Sequence, residues 1–271
     1  MSARKFLVPI LIAVPVLAVL VYALAPGTFG TSGASGTSTL GSDTPAVIRA
    51  LAREGLQDLQ PFDTGTELRG FAGVAGQQPI AVYVLRDGSA IVGARLSADG
   101  KPLDDERVGR LVAQPMGEAI WSKLAASTWV QDGNTDAPRV VYTFSDPNCT
   151  YCHRFWTSAR PWVDSGKVQL RHIMVGVIKA NSSTKAAAIL GADDRTAALL
   201  HNERQFDNGG IAPAPHVSPD IARTLDTHQQ LMAELGFRGT PGIVYRDADG
   251  SLQRVNGMPR AEALATVMGP L

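Results

Sequence analysis

The chain holds two cysteines, and they stand three apart: Cys149 and Cys152, in Phe144-Ser145-Asp146-Pro147-Asn148-Cys149-Thr150-Tyr151-Cys152. Val140 to Phe144 reads as a buried strand, and the residues after the pair read as the opening of a helix. A strand, a tight turn and a CxxC at a helix N-terminus constrain the fold to a βα unit with its thiols at one end of the sheet. Such a pair exchanges disulfides. Whether it oxidises, reduces or isomerises them is left open by the spacing.

Two rival uses of the pair fare worse. A structural zinc site needs four Cys or His ligands. His153 is adjacent, but His172, His201, His216 and His228 are scattered with no second close pair. A purely structural disulfide closing so short a loop gains little chain entropy, and a domain of this size does not need a staple.

The 271 residues suit one large domain or two modest ones, and an apolar content of 45% supports a core. Lys and Arg number 25 and Asp and Glu number 25, a formal net charge of zero that argues against a nucleic-acid partner. Arg4-Lys5 precede Phe6 to Ala25, a run without charge. As a helix rising ~1.5 Å per residue it spans about 30 Å, the hydrocarbon thickness of a bilayer. Basic residues before the run place the N-terminus in the cytoplasm. Ala23-Leu24-Ala25 fits a cleavable signal, but Pro26 is a poor first residue after a cut. The expectation is therefore a transmembrane helix, retained as an anchor within 1–25, with cleavage as the alternative. A flexible Gly/Ser/Thr linker follows over 26–44. Either way the body is exported to an oxidising compartment, where a dithiol can cycle.

In the body, Pro45 to Gly55 reads as a short helix with Thr44 as its cap. Strands are expected over Thr66 to Val74 and Pro79 to Leu85, with Asp87-Gly88 turning into Ala90 to Leu96. This thin α+β unit, 45–100, would welcome a partner along its sheet edge. Asp104 to Thr128 reads as a long helix with a bend at Pro115, and a loop ends the connector, 101–137. The second unit, 138–271, opens with the CxxC strand. Its helix runs to Ala159, with Pro161 near a kink or end. A strand over Lys167 to Ile178, a helix over Ser183 to Leu200, a loop over Asn208 to Pro219 and a helix over Asp220 to Leu235 follow. Gly242 to Tyr245 and Leu252 to Asn256 form an antiparallel pair, and Arg260 to Met268 closes as a helix. This is the thioredoxin order, β-α-β then β-β-α, with a helical insertion at about 180–236.

Cys149 is the expected nucleophile, because unpaired N–H groups and the helix dipole at an N-terminus stabilise a thiolate. It is expected to be solvent-accessible. Cys152, one turn in and deeper, resolves the mixed disulfide. Pro147 and Asn148 shape the turn, and Thr150 and Tyr151 tune the thiol and form docking surface. His153 either bends back to lower the Cys149 pKa or is a solvated helix residue. Gly239-Thr240-Pro241 precedes a core strand and by element order lies beside the pair. A cis Pro241 leaves the Thr240 backbone free to pair with a substrate strand while Cys149 attacks.

Asp146 to Trp156 (Asp-Pro-Asn-Cys-Thr-Tyr-Cys-His-Arg-Phe-Trp) resembles the active-site run of the DsbC/DsbG family of periplasmic thiol:disulfide isomerases. Val175 to Lys179, Lys185 to Leu190, and Gly239-Thr240-Pro241 with Gly257-Met258-Pro259 are similar to the same family. Weaker likeness reaches back through Trp129 and Trp121 to about Pro45. Thr150 stands where the best-matching members usually carry proline. The resemblance implies a periplasmic protein with a cystatin-like N-terminal dimerisation domain, a linker helix and a C-terminal thioredoxin fold; the apparent anchor over residues 6–25 and its linker depart from the family and would tether this chain to the inner membrane. It implies a V-shaped homodimer with its active sites facing a cleft, and no cofactor beyond the Cys149–Cys152 disulfide. It implies misoxidised or sulfenylated periplasmic proteins as clients and a DsbD-like membrane reductase as electron donor.

Other functions compete: a DsbA-like dithiol oxidase, a dedicated anchored reductase, and a periplasmic chaperone with an incidental dithiol. The redox potential separates the first from a shuffling enzyme, an oxidant lying near about −120 mV and an isomerase near about −180 mV.

Overall fold

In the computed structural model, which describes residues Gly41–Leu271, the chain folds around two sheets. The first is an antiparallel meander of β1 (Gln57–Asp63), β2 (Arg69–Ala75), β3 (Gln78–Val84) and β4 (Ala90–Val92), in that order. Alternate side chains serve its two faces. Phe71, Val82 and Val84 pack on Ile48 of α1 (Ala46–Arg53), while Ala72, Val74 and Tyr83 pack on Val108 and Val112 of α2 (Asp105–Ala126). Burying side chains of this size contributes roughly 1.5–3 kcal/mol each. β2 runs through Gly70 and Gly73 without a break. They make room for neighbours, since a Cβ there would fall 2.7 Å from the Phe62 ring and 2.8 Å from Leu59.

The cap of α1 is Pro45, not Thr44. β1 is an element the sequence pattern does not announce, being polar and containing Pro61. It lies at the sheet edge, where a missing ladder N–H is tolerated. β4 stops at Val92, short of Leu96.

α2 continues through Pro115 and carries the core from one sheet to the other. Its last turns place Ile120 and Leu124 against Tyr142, Phe144, Ile173 and Val244 of the second sheet. At its start, Asp104 accepts hydrogen bonds from Arg95 Nε at 2.8 Å and the Tyr83 hydroxyl at 2.9 Å, fixing the approach to the helix.

The second sheet runs β5-β7-β6-β8-β9, from β5 (Val130–Asp132), β6 (Arg139–Ser145), β7 (Val168–Met174), β8 (Gly242–Arg246) and β9 (Leu252–Asn256). β6 and β7 are parallel and joined by α3 (Thr150–Asp164), while β8 and β9 add antiparallel. α3 and α7 (Ala261–Met268) cover one face through Phe155, Ala159, Trp162, Leu264 and Val267. α2 and α6 (Pro219–Glu234) cover the other through Leu124, Leu231 and Met232. This is a thioredoxin-like α/β arrangement, with α4 (Ser182–Leu190), α5 (Arg195–Arg204) and α6 inserted between β7 and β8.

Several expectations for this half are corrected. α3 does not end near Ala159 but passes Pro161, held by burial of Trp162 and Val163 and by the Trp162 Nε1 hydrogen bond to the Gly269 carbonyl at 2.8 Å. The helix expected over Ser183 to Leu200 is two. Gly191 ends α4, and the Asp194 side chain caps α5 by accepting from the Ala197 N–H at 2.8 Å. The strand expected to reach Ile178 ends at Met174: the Val175 N–H still bonds the Ser145 carbonyl at 2.9 Å, but the Val177 and Ile178 N–H groups turn to the Asp146 side chain.

The transmembrane helix is also withdrawn, and the inner-membrane tether with it. Among the described residues no helix is long and apolar enough to cross a membrane. The 22-residue α2 carries Asp105, Glu106, Arg107, Arg110, Glu118 and Lys123. Residues 6–25, on which the span was placed, and most of the 26–44 linker lie outside the described residues.

Candidate active site

β6 sits at the centre of its sheet and delivers the chain, buried from Val141 to Cys149, to the start of α3. Cys149 is the residue capping α3, and its Sγ accepts the Cys152 backbone N–H at 3.1 Å. β8 pairs with β6 through Gly242 and Phe144, which brings the preceding residues beside the pair. The Thr240–Pro241 peptide bond is cis, and the Cys149 thiol donates to the Thr240 carbonyl at 3.4 Å.

Both cysteines are free thiols, and each is only 4% exposed. The expected accessibility of Cys149 is thus corrected: the Thr240–Pro241 segment covers it. What separates the two thiols is electrostatics. The neighbouring Cys152 thiol, then Thr240 and the N–H groups of Cys152 and Tyr151, outweigh burial and lower Cys149 to about 7. Burial, and then the neighbouring Cys149, push Cys152 well above the ordinary thiol value.

The residues around the pair divide. Thr150 and Tyr151 are exposed, with the Tyr151 ring under the Arg154 guanidinium at 5.5 Å. Pro147 is buried, and its carbonyl accepts from Asn202 Nδ2 at 3.3 Å. His153 neither bends toward Cys149 nor stands in solvent. It pairs with the buried Glu203 at 2.9 Å and stacks on Phe206 at 4.4 Å. The α5 carboxylate and the Phe206 ring hold it.

The structure adds Asp146, which the sequence pattern did not single out, and gives Asn148 its partners. The buried Asp146 carboxylate accepts from the N–H groups of Asn148 (2.8 Å), Val177 (2.7 Å) and Ile178 (2.9 Å) and from the Ser182 hydroxyl (2.8 Å). It therefore ties the turn before Cys149 to the β7–α4 loop. Asn148 Nδ2 donates to Asn181 at 3.0 Å and Ser182 at 2.9 Å, and its Oδ1 accepts from the buried Lys185 at 3.0 Å. The signal was an Asp and an Asn flanking a proline, read only as a turn. On the far side of α3, Arg160 pairs with the buried Asp132 and lies over the Trp156 ring at 4.4 Å.

Among the described residues no three His, Cys, Asp or Glu side chains gather to hold a metal ion. The redox group is the Cys149–Cys152 pair itself.

A thioredoxin-like domain with an acidic, helix-capping thiol and a second, buried thiol one turn on defines a thiol:disulfide oxidoreductase. The thioredoxin-like domain family matches residues 131–269. The chain is 41% identical over 237 residues to the thiol:disulfide interchange protein DsbG of Pseudomonas aeruginosa, covering 87% of this chain and 93% of that one. It is 35% identical over 228 residues to DsbG of Escherichia coli, covering 84% and 92%. Among solved structures, the catalytic domain of Proteus mirabilis ScsC is 20% identical, covers 56% of this chain and 95% of that one, and superposes with a TM-score of 0.47. The chain belongs to the DsbC/DsbG family of thiol:disulfide interchange proteins.

Proposed function

We propose that the protein is a periplasmic disulfide isomerase and reductase in which Cys149 attacks and Cys152 resolves. The observation that carries this reading is the split between the two thiols, Cys149 lowered to about 7 and Cys152 raised. Near neutral pH the Cys149 thiolate attacks one sulfur of a client disulfide, forming a mixed disulfide and expelling the other client sulfur as a thiolate. In isomerisation that thiolate, or another client thiol, attacks the client sulfur held by Cys149 and frees Cys149 with no net redox change. In reduction Cys152 loses its proton and attacks Cys149. The Cys149–Cys152 disulfide forms, the client leaves with two electrons, and a dithiol donor such as a DsbD-like membrane reductase restores the pair. A sulfenylated client cysteine enters the same cycle, with water as the leaving group.

Thr240 and Pro241 serve as the substrate-pairing edge in this reading, a role supported by the Thr240 carbonyl beside Cys149. Pro147, Asn148, Thr150, Tyr151 and His153 shape and surround the thiol turn. Residues 45–100 act as a cystatin-like dimerisation domain, 101–137 as linker helix and loop, and 138–271 as the catalytic domain, whose sheet the linker's end extends with β5. The antiparallel sheet with α1 on one face, and β4 exposed at its edge with Ile91 at 56% and Val92 at 44%, supports pairing with a second copy.

The test is rescue of a ribonuclease with scrambled disulfides by the reduced protein. Recovery of activity with catalytic amounts, lost in Cys149→Ala, supports isomerisation. Rapid oxidation of reduced ribonuclease without rescue of the scrambled form would replace this reading with a dithiol oxidase.

A further inference from the structure

Beside the thiol turn lies a cleft of about 500 Å³ whose wall includes Asn148 and Thr150, the residues on either side of Cys149. Lys179 and Lys185 line it, together with apolar surface from Phe206 and Ile211, and none of the described residues lining it is acidic. Lys185 is unusual in its surroundings. It is 5% exposed, and its ammonium donates to Asn148 Oδ1 at 3.0 Å and to the Gly209 carbonyl, both uncharged. Among the described residues neither Lys185 nor Lys179 forms an ion pair. The two buried carboxylates nearby are engaged elsewhere, Asp146 by four donors and Glu203 by His153.

An ammonium has three protons to donate, so Lys185 keeps one beyond its two neutral acceptors. A buried charge without a counter-charge is costly unless an opposite charge is supplied. We propose that this cleft is a subsite for an acidic client residue, an Asp or Glu within two positions of the cysteine under attack, which Lys185 and Lys179 pair with. The apolar wall suits the methylene stem of such a side chain. An extended client advances about 3.3 Å per residue, so a neighbour of the attacked cysteine reaches a cleft built from the neighbours of Cys149. The inference rests on the exchange reaction proposed above and adds a sequence preference to it.

The test uses peptides with one cysteine, each presented as a mixed disulfide with a chromogenic thiol, that differ only in Glu, Gln or Lys two positions from the cysteine. Second-order rates with the reduced protein are normalised to those with dithiothreitol, which removes intrinsic reactivity. The Glu peptide is expected to exceed the Gln peptide by about fivefold or more at low salt and to lose much of that advantage near about 0.5 M salt. Lys185→Met should bring the Glu/Gln ratio close to one. Lys179→Ala, on the exposed rim, should at least halve it and supplies the answer should the buried variant fail to fold. A normalised ratio near one in the unmodified protein, with both peptides reacting, overturns the acidic subsite and leaves the exchange reading standing. A ratio that neither variant changes also overturns it. Reaction with none of the peptides overturns both.

Discussion

The Cys152 N–H points at the Cys149 sulfur across 3.1 Å, so one of the free donors in the first turn of α3 is spent on the thiol that caps it. The same atom is the one placed under the Thr240 carbonyl at 3.4 Å. Helix end and strand approach thus converge on one sulfur.

From this follows the pH behaviour of the reduced protein. As whole residues the two cysteines are equally covered, so differential labelling is expected to follow ionisation, which burial suppresses at Cys152. Cys149, lowered to about 7, is expected to take up iodoacetamide with a rate that rises through neutral pH, while Cys152 stays unlabelled until well above pH 9. A lowered thiol pKa in the folded state also contributes stability that is fully present above the unfolded value near 9.0, declines as pH falls from 9 to about 7, and is absent below. Denaturation of the reduced protein, compared with Cys149→Ser, should show that contribution as a difference on the order of 1–3 kcal/mol between pH 7 and 9. Equal labelling of the two cysteines, or a flat difference across that window, would contradict the assignment.

Asp146 is the second point of leverage. Its carboxylate satisfies three backbone N–H groups and a hydroxyl in a buried loop, at 1% exposure. Asp146→Ala strands those donors and is expected to cost about 2–4 kcal/mol in chemical denaturation. Asp146→Asn, which keeps an acceptor oxygen, should lose less. Client exchange should slow in both, because the turn holding Cys149 and the wall of the neighbouring cleft share this anchor. Unchanged stability in Asp146→Ala would show that the loop finds other partners.

These residues also mark where sequence reasoning reaches its limit. The CxxC, the Thr-Pro before β8 and the order of β6, α3, β7, β8 and β9 were legible because each is carried by neighbours in sequence: a strand run, a helix start, a turn residue. Asp146 was read as part of a turn because its partners, Val177, Ile178 and Ser182, lie some thirty residues away and include two backbone groups that carry no side-chain signal. The paired His153 and Glu203 were missed for the same reason. β1 was hidden by its composition: Leu59 is its one buried residue, and the strand exists because β2 offers it a ladder. The break between α4 and α5 was visible in principle as Gly191 followed by Asp194, a stop and a cap, but the alanine-rich run masked it. The burial of Cys149 depends on a segment some ninety residues downstream, so no local pattern reports it.

The proposed dimer makes the last prediction, and β4 is where it is decided. β4 pairs with β3 on one side and closes the sheet on the other. Ile91 is 56% exposed and Val92 44%, on opposite faces of the edge strand, and Leu96 just beyond it is 55% exposed, so apolar side chains flank the strand's open edge on both faces. Natural sheet edges of this kind are usually charged, bulged or covered. Two copies pairing β4 to β4 about a two-fold axis would join the sheets, cover these side chains on both protomers and close the assembly. The protein is therefore expected to sediment at twice its protomer mass at micromolar concentration, and Ile91→Lys combined with Val92→Lys to sediment as a monomer. The substitutions lie on exposed positions of an edge strand, so folding should be retained and far-ultraviolet dichroism unchanged. If catalysis of rearrangement depends on two thiol sites acting on one client, the monomer should still reduce small disulfides while rescue of scrambled ribonuclease falls by roughly tenfold, as expected when an intramolecular second encounter becomes bimolecular. A monomeric unmodified protein, or a variant that remains dimeric, would remove β4 from the interface. Full rescue by a monomeric variant would show that a single site suffices.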